Sequence, residues 1–302
     1  MKAAPFAYVR PGTVADVVAE LSREGSKVIA GGQSLVPVLA MRLGRPAQLI
    51  DINAVPELSA LSRDNGSLRV GATVRQRQLQ REQVAATVPL IRLALPWVGH
   101  REVRSRGTVC GSIAHADPSA ELPAVAACLE ATMVLTSARG TRQVPAVDFF
   151  TGALSTVIEP EELLSEVVFP VAKPGEGFGF GEFARRHGDF ALAGVAVRVR
   201  TTGESVDARL TCFGVSDVPV SVDVSSQLHA ALETTRPDPS RADLLSALAE
   251  HTPDVADDVV DTTGDSHASP AYRRQLISAL AAREVSRAYV SARDSESEGR
   301  SR

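Results

Sequence analysis

A pair of glycines set between a strand and a helix restricts this chain more than any other feature. Lys27-Val28-Ile29-Ala30 is a short apolar strand, Gly31-Gly32 follows it at once, and Leu35, Val38, Leu39 and Leu43 recur at helical spacing. Ser34 falls where a helix N-cap belongs, and Pro37 lies near the first turn, where a missing N–H costs little. Gln48-Leu49-Ile50-Asp51-Ile52 reads as the next strand. Residues 27–52 are therefore predicted as strand, turn, helix and strand, an arrangement that suits a parallel pair. Without a Cβ, the turn brings backbone N–H groups close to a phosphate, and the Ser34 hydroxyl and the helix start add favourable partial charge. Charge-assisted bonds of this kind contribute roughly 1.5–3 kcal/mol each. Several of them hold a diphosphate without a large basic patch. The plainer alternative is a tight turn that only joins strand to helix. The Gly-x-Gly-x-x-Gly spacing of dinucleotide-binding folds is absent, so nicotinamide binding by that route is not supported.

The chain has 302 residues, above the size at which one core usually stops growing, and at least two domains are expected. The net charge of −4 argues against a general nucleic-acid binder. No apolar run at the start has the form of a signal peptide, and no stretch is long and uncharged enough to span a bilayer. Cys110, Cys128 and Cys212 are too far apart for a metal knuckle, and their odd number closes no disulfide framework. The expectation is a cytoplasmic protein with reduced thiols and no metal ligands of its own.

Further along, Ser67-Leu68-Arg69-Val70-Gly71 alternates like a strand after the turn signal Asp64-Asn65-Gly66. Residues 74–98 read as helical, broken at Pro89 and Pro96, and residues 101–123 as a stretch of turn formers and small residues. A buried helix is expected over Leu122–Leu129, with strands near residues 131–136, 142–144 and 163–169. After the linker around Pro170–Gly175, Phe178-Gly179-Phe180-Gly181-Glu182-Phe183 alternates aromatic with small, and strands follow near residues 195–199 and 208–215. Helices are expected near 225–233, 240–250 and 270–290, and a disordered, charged tail from residue 293.

The second informative segment runs from Arg104 to Pro123 and contains Arg106-Gly107-Thr108-Val109-Cys110-Gly111-Ser112 and Ala114-His115-Ala116-Asp117-Pro118-Ser119-Ala120-Glu121-Leu122-Pro123. Its glycines, hydroxyls and arginines suit a second wall of an anion site; a polar surface loop with an Asp-Pro turn is the alternative.

Together the two segments resemble the FAD-binding medium subunit of the molybdenum hydroxylases, of the carbon monoxide dehydrogenase and xanthine dehydrogenase type. That family carries Ala-Gly-Gly-(His/Gln)-Ser near its start, then Arg-Gly-Thr-(Ile/Val/Leu)-Gly-Gly-(Ser/Asn) and an Ala-x-Ala-Asp-Pro-x-x-Glu-Leu-Pro run. Here they stand in order at Ala30–Ser34 and Arg106–Pro123. Leu68–Ala72, Arg185–Ala191 and Ser269–Arg274 resemble further elements, so the likeness extends from about residue 5 to 290.

The resemblance implies an α+β chain. A two-lobed FAD-binding domain of the PCMH type, a small α/β lobe (1–55) and a larger mixed-sheet lobe (56–173), precedes a C-terminal antiparallel sheet with helices (174–292) and the tail (293–302). It implies FAD as cofactor, with molybdopterin and iron–sulfur clusters on partner subunits. The partners would be an iron–sulfur small subunit and a molybdopterin large subunit, in a dimer of heterotrimers. The implied role is to accept electrons from the iron–sulfur subunit and pass them to an external acceptor. Residue by residue, Ala30, Gly31, Gly32, Gln33, Ser34 and Leu35 match the first diphosphate loop, and Thr108, Val109, Cys110, Gly111 and Ser112 the second. His115 and Glu121 match positions along the ribityl and flavin part, and Asp189 and Phe190 the element beside the isoalloxazine ring. No catalytic or metal-binding residue is implied in this chain.

Cys110 departs from the family, which usually has glycine there. A glycine needed for positive φ would leave cysteine strained, whereas one needed only for smallness would tolerate it; smallness is the expectation, since the rest of the loop is intact. His100, His115 and His187 each have a carboxylate two residues on, read as turn or capping interactions. Asp257-Asp258-Val259-Val260-Asp261 has the form of a magnesium–diphosphate motif but is read as a solvated acidic loop. Trp97 is read as packing or subunit contact. A self-contained FAD oxidase or reductase of the same two-lobed fold is the alternative function; it would need a general base and a substrate lid, and no candidate for either is evident. A scaffold that has lost FAD is a third possibility, favoured only by Cys110.

Overall fold

The computed structural model describes residues 2–203, 205–236 and 239–300. The chain divides into two compact units: residues 1–86, 100–116 and 130–170 form one, and residues 87–99, 117–129 and 171–302 the other.

The first unit opens with β1 (Ala7–Val9), α1 (Val14–Leu21), β2 (Ser26–Ile29), α2 (Leu35–Ala40) and β3 (Gln48–Asp51). The strands form a parallel sheet in the order β1-β3-β2. The central strand β3 is buried along its whole length, as a parallel strand with covered faces should be. Thr13 caps α1 by accepting the Asp16 N–H at 3.1 Å, and Val17, Val18 and Leu21 are the buried face of that helix. The helix after the glycine pair stops at Ala40, short of Leu43, because Arg42 turns left-handed with φ 60°.

The rest of this unit comprises β4 (Leu61–Asp64), β5 (Ser67–Gly71), α3 (Gln76–Arg81), α5 (Arg101–Arg106), α6 (Val109–His115), β6 (Thr132–Ser137), β7 (Gly140–Pro145), the small pair β8 (Phe150–Gly152) and β9 (Ser155–Thr156), and β10 (Leu163–Pro170). The larger sheet runs β4-β5-β10-β6-β7 and is antiparallel throughout rather than mixed. Its hairpins explain this. Asn65 and Gly66 both take positive φ, 46° and 77°, the geometry of a tight turn that matches strand twist. The segment expected to be loop, 101–123, is instead largely helical, and α6 packs on β5 and β10 with Val109, Cys110 and Ile113 buried.

The second unit contains α4 (Pro89–Ala94), α7 (Glu121–Cys128), β11 (Glu176–Phe183), β12 (Ala193–Thr202), β13 (Ser205–Phe213), β14 (Val220–Asp223), α8 (Ser225–Glu233), α9 (Arg241–Leu248), α10 (Thr252–Val259) and α11 (Pro270–Arg300). The strands form an antiparallel sheet in chain order. The alternation in β11 now has a cause. A Cβ on Gly177 would stand 2.0 Å from the Ala288 carbonyl oxygen, and one on Gly179 2.4 Å from that of Glu284, so these glycines let α11 lie directly on the strand. Phe178 and Phe180 point to the opposite face, where Phe180 stacks on Phe213 with centroids 5.8 Å apart. Both α4, through Leu90, Ile91 and Ala94, and α7, buried along its length, pack on this sheet. That apolar cover groups residues 87–99 and 117–129 with the C-terminal sheet in one compact unit. Arg273, 5% exposed, ties the strand ends together by donating to the carbonyls of Leu192 and Gly214 and pairing with Asp265 at 2.6 Å.

Two further expectations are corrected here. The acidic run 257–261 is no solvated loop: Asp257 and Asp258 sit on α10, whose Val255, Ala256 and Val259 are buried, and Asp257 pairs with Arg274 at 3.0 Å. The tail expected to be disordered from residue 293 continues as helix to Arg300, while residues 301 and 302 lie outside the described residues. A formed helix propagates at little cost, and Ser295 and Glu296 accept the amides of Gly175 and Gly203 at 3.3 and 3.2 Å. Among the described residues, no helix is long and apolar enough to cross a membrane, and no group of three His, Cys, Asp or Glu could hold a metal ion.

Candidate cofactor site

Within the first unit, the two glycine-bearing segments meet. A Cβ on Gly31 would stand 2.3 Å from the Arg106 carbonyl oxygen and 2.8 Å from the Gly107 Cα, so only glycine permits this backbone contact. Gly32 takes φ +72°, the left-handed turn that redirects the chain from β2 into α2. Ala30, Gly31, Gly32, Gln33, Ser34 and Leu35 thus form one turn, and it lies against the residues that lead into Thr108–Ser112.

Among the described residues, no hydrogen-bond acceptor is found for the consecutive amide groups of Gly32, Gln33, Ser34 and Leu35. Ser34 takes the N-cap place as expected, but its hydroxyl makes no capping bond. The turn therefore offers adjacent N–H donors and an O–H donor to a ligand. A diphosphate placed there would accept charge-assisted bonds from them. This donor set fits FAD.

The second segment offers a different surface. Thr108 caps α6 through its Oγ1, which accepts the Gly111 N–H at 3.0 Å, and a Cβ on Gly111 would stand 2.6 Å from that oxygen. Val109 donates to the Val74 carbonyl at 3.2 Å, which fixes the helix start against β5's continuation. Ser112 is half-buried on the first turns of α6. Cys110 has no positive φ. It lies inside α6, buried, with its thiol donating to the Val70 carbonyl at 3.3 Å. Burial pushes its thiol pKa far above the ordinary value, with the negative Glu166 adding to the effect. The cysteine is thus an unstrained, buried packing residue rather than a reactive one.

His115 closes α6, and Ala116 follows it in the left-handed conformation, φ 51°. Asp117 does form a turn, its carboxylate accepting the Ser119 N–H at 2.9 Å.

Two residues that the sequence reading passed over connect the segments. The Asn53 Nδ2 donates to the Ala30 carbonyl at 2.8 Å, the Arg75 guanidinium donates to Asn53 Oδ1 at 2.5 Å, and Arg75 also donates to the Arg106 carbonyl. Asp51 Oδ1 accepts the Asn53 N–H at 2.9 Å, and its Oδ2 accepts the Tyr8 hydroxyl. Burial, then the positive charge of Arg106, holds the Arg75 pKa below its ordinary value, with Asp51 opposing. An arginine so shifted remains charged.

The remaining candidates lie in the second unit. Glu121 begins α7 and is buried. Asp189 and Phe190 lie in the loop between β11 and β12, where the Asp189 N–H donates to the Arg186 carbonyl at 3.1 Å and Phe190 is 73% exposed. In the same unit, Trp97 meets His187 edge-on, with ring centroids 6.0 Å apart.

Residues 4–172 match the FAD-binding domain of molybdopterin dehydrogenases, and residues 178–288 match the C-terminal domain of carbon monoxide dehydrogenase flavoproteins. The chain is 35% identical to the caffeine dehydrogenase subunit beta of Pseudomonas sp. (strain CBB1) over 95% of its own length and 96% of that protein's. It is 31% identical to the carbon monoxide dehydrogenase medium chain of Afipia carboxidovorans, over 96% and 98% of the two chains. Its structure superposes on a chain of quinoline 2-oxidoreductase from Pseudomonas putida 86 with a TM-score of 0.84 at 32% identity, over 98% and 100% of the chains. Relatives of this kind are dehydrogenase subunits, parts of oxidoreductases. Loops, fold and relatives agree: the chain belongs to the family of FAD-binding medium subunits of molybdenum hydroxylase complexes.

Proposed function

We propose that this chain is the electron-transfer subunit of its complex, accepting electrons from an iron–sulfur small subunit and passing them to an external acceptor while a molybdopterin large subunit carries out the substrate chemistry. The observation that carries the reading is the run of amides, Gly32 to Leu35, without acceptors among the described residues and held against the Arg106–Gly107 backbone. In this reading Ala30–Leu35 and Thr108–Ser112 bind the diphosphate. On the family resemblance alone, His115, Glu121, Asp189 and Phe190 are assigned to the ribityl and flavin part. Bound FAD supplies a carrier for electrons that the side chains of this subunit lack. The work of the chain itself is to bind and orient: glycines admit the backbone, and amides hold the anion. The reading includes assembly as a dimer of heterotrimers in the cytoplasm, where the three buried cysteines, which form no disulfide, stay reduced.

The test is a visible spectrum of the complex isolated natively through a tag on this chain, followed by rapid mixing with the substrate it hydroxylates. Flavin and iron–sulfur absorption together, with flavin bleaching after the iron–sulfur signal, is the expected result. Flavin alone, on a lone chain that turns over substrate, would overturn the reading.

A further inference from the structure

The relay through Asn53 and Arg75 goes beyond the two loops themselves. The carbonyls it engages belong to Ala30 and Arg106, the residues immediately before Gly31 and Gly107. One planar guanidinium reaches both sides, donating through one terminal nitrogen to Asn53 Oδ1 and through the other to the Arg106 carbonyl. Asn53 turns that bond into a hold on Ala30, and Asp51 fixes the Asn53 amide by accepting from its backbone N–H at 2.9 Å and its side chain at 2.5 Å. Asp51 is in turn fixed by Tyr8. Each loop is also tied separately: β2 pairs with β3, while the backbone N–H of Gln76, at the start of α3, donates to the Gly107 carbonyl at 2.9 Å and that of Val109 to the Val74 carbonyl. The relay joins one loop to the other. It does so where Gly31 and Arg106 touch with no room for a Cβ, so it sets the spacing of the turn whose amides lack acceptors.

We propose that Arg75 and Asn53 are positioning residues for the cofactor diphosphate, bridging the two loops so that the amides of Gly32–Leu35 arrive at the anion already aligned. The bridge acts through geometry and not through charge. Arginine presents two donors in a fixed fork, and lysine, a single point donor, reaches one acceptor at a time. Preformed donors lose less freedom on binding than donors that must first be gathered. The inference rests on the reading that these loops hold the diphosphate, and the test separates the two.

The full-length chain is stripped of flavin, and FAD affinity is measured by fluorescence for Ser34→Ala, Arg75→Met, Arg75→Lys, Asn53→Ala and the Arg75→Met/Asn53→Ala double variant, with the melting temperature of each apoprotein and the 31P resonances of bound FAD. Arg75→Met and Asn53→Ala are each expected to weaken FAD binding roughly tenfold or more, the scale on which supporting bonds behind a ligand site act. The double variant is expected to be no worse than the weaker single one, because both break one relay. Arg75→Lys is expected to behave like Arg75→Met, and the 31P resonances of the diphosphate to shift in both. Rescue by Arg75→Lys would overturn the proposal, showing that charge is what matters. Parental FAD affinity in Arg75→Met and Asn53→Ala beside a weakened Ser34→Ala would overturn it while sparing the diphosphate reading. Parental affinity in all of them would overturn both. Should Arg75→Met fail to fold, Asn53→Ala, which removes only a half-buried amide, carries the same test.

Discussion

Both units contain a glycine whose missing Cβ lets two backbones touch, and the two contacts serve different ends. In the second unit Gly177 lies under α11, and around it Val195, Val197, Val199, Leu210, Leu280 and Val285 form a dense apolar core. In the first unit Gly31 lies against Arg106, and around it the order is polar: Asn53, Arg75, Asp51 and Tyr8 in a chain of hydrogen bonds, with neighbouring amides left open. An apolar contact is satisfied when it forms. A polar frame that stops short of satisfying its own donors is poised for a ligand. The same covalent trick, a residue without a side chain, therefore supports folding in one place and recognition in the other.

The comparison breaks first at Gly177. Valine there must displace the Ala288 carbonyl and the Ala292 amide, 2.0 and 2.3 Å from the Cβ, inside a helix that cannot yield locally. Gly177→Val is expected to cost more than about 3 kcal/mol and to abolish cooperative melting of the second unit. Gly31→Ala introduces a slightly longer but still forbidden contact, 2.3 Å, at the edge of a turn. It is expected to lower the melting temperature only modestly while reducing FAD affinity on the order of a hundredfold, about 2.7 kcal/mol. Paired melting curves and flavin titrations decide the matter: if Gly31→Ala destabilises the apoprotein as much as Gly177→Val does, the division of labour between the units is wrong.

A sharper test uses a buried acid of the second unit. Glu182 is 6% exposed and its Oε2 lacks a hydrogen-bond partner among the described residues. Burial first, and the negative Glu121 second, raise its pKa from 4.5 to about 9. The sign follows from linkage. Below pH 4.5 the carboxyl is protonated in both folded and unfolded chains and has no effect. Between 4.5 and 9 the unfolded chain ionises while the folded one keeps its proton, so stability falls as pH rises, by at most about 1.4 kcal/mol per pH unit. Glu182→Gln removes the slope. It is expected to be more stable than the parent by roughly 1–3 kcal/mol at pH 8, with the gap closing toward pH 5. Parallel melting profiles across that range would show that Glu182 ionises inside the fold.

The legibility of the chain follows the range of the interactions. The strand-turn-helix-strand at the glycine pair and the helix at residues 225–233 are written in local periodicity, and the structure places them there. Short helices rich in small or charged residues escaped. α6 is spelled Val-Cys-Gly-Ser-Ile-Ala-His, a composition shared with turns, and it forms because Thr108 caps it and β5 and β10 cover it. α10 hid under its aspartates, although Thr252-Pro253 with Asp254 in the first turn is a helix start. Of the candidate site, the two glycine segments were readable because a glycine pair between strand and helix has few physical reasons to exist. Asn53 and Arg75 were not. Their partners lie 23 and 31 residues away in sequence, and no local pattern encodes a side chain that reaches a distant carbonyl.

The smallest effect concerns Cys110, where the comparison is with the glycine usual in the family. Were the position conformationally demanding, returning glycine would relieve strain and improve cofactor retention. The structure gives it ordinary helical geometry, a buried side chain and a thiol bonded to the Val70 carbonyl. Cys110→Gly then removes buried sulfur and adds backbone freedom inside a helix, a loss of about 1 kcal/mol. FAD affinity is expected to stay within about twofold, since the thiol faces β5 and the amides of Gly32–Leu35 are untouched. A calorimetric scan beside a flavin titration suffices. Tighter FAD binding in the glycine variant would mean that α6 must shift when cofactor binds, and that the cysteine resists it. Unchanged binding with a lower melting temperature would show that this segment, like the core of the second unit, contributes its packing to the fold and leaves recognition to the turn beside it.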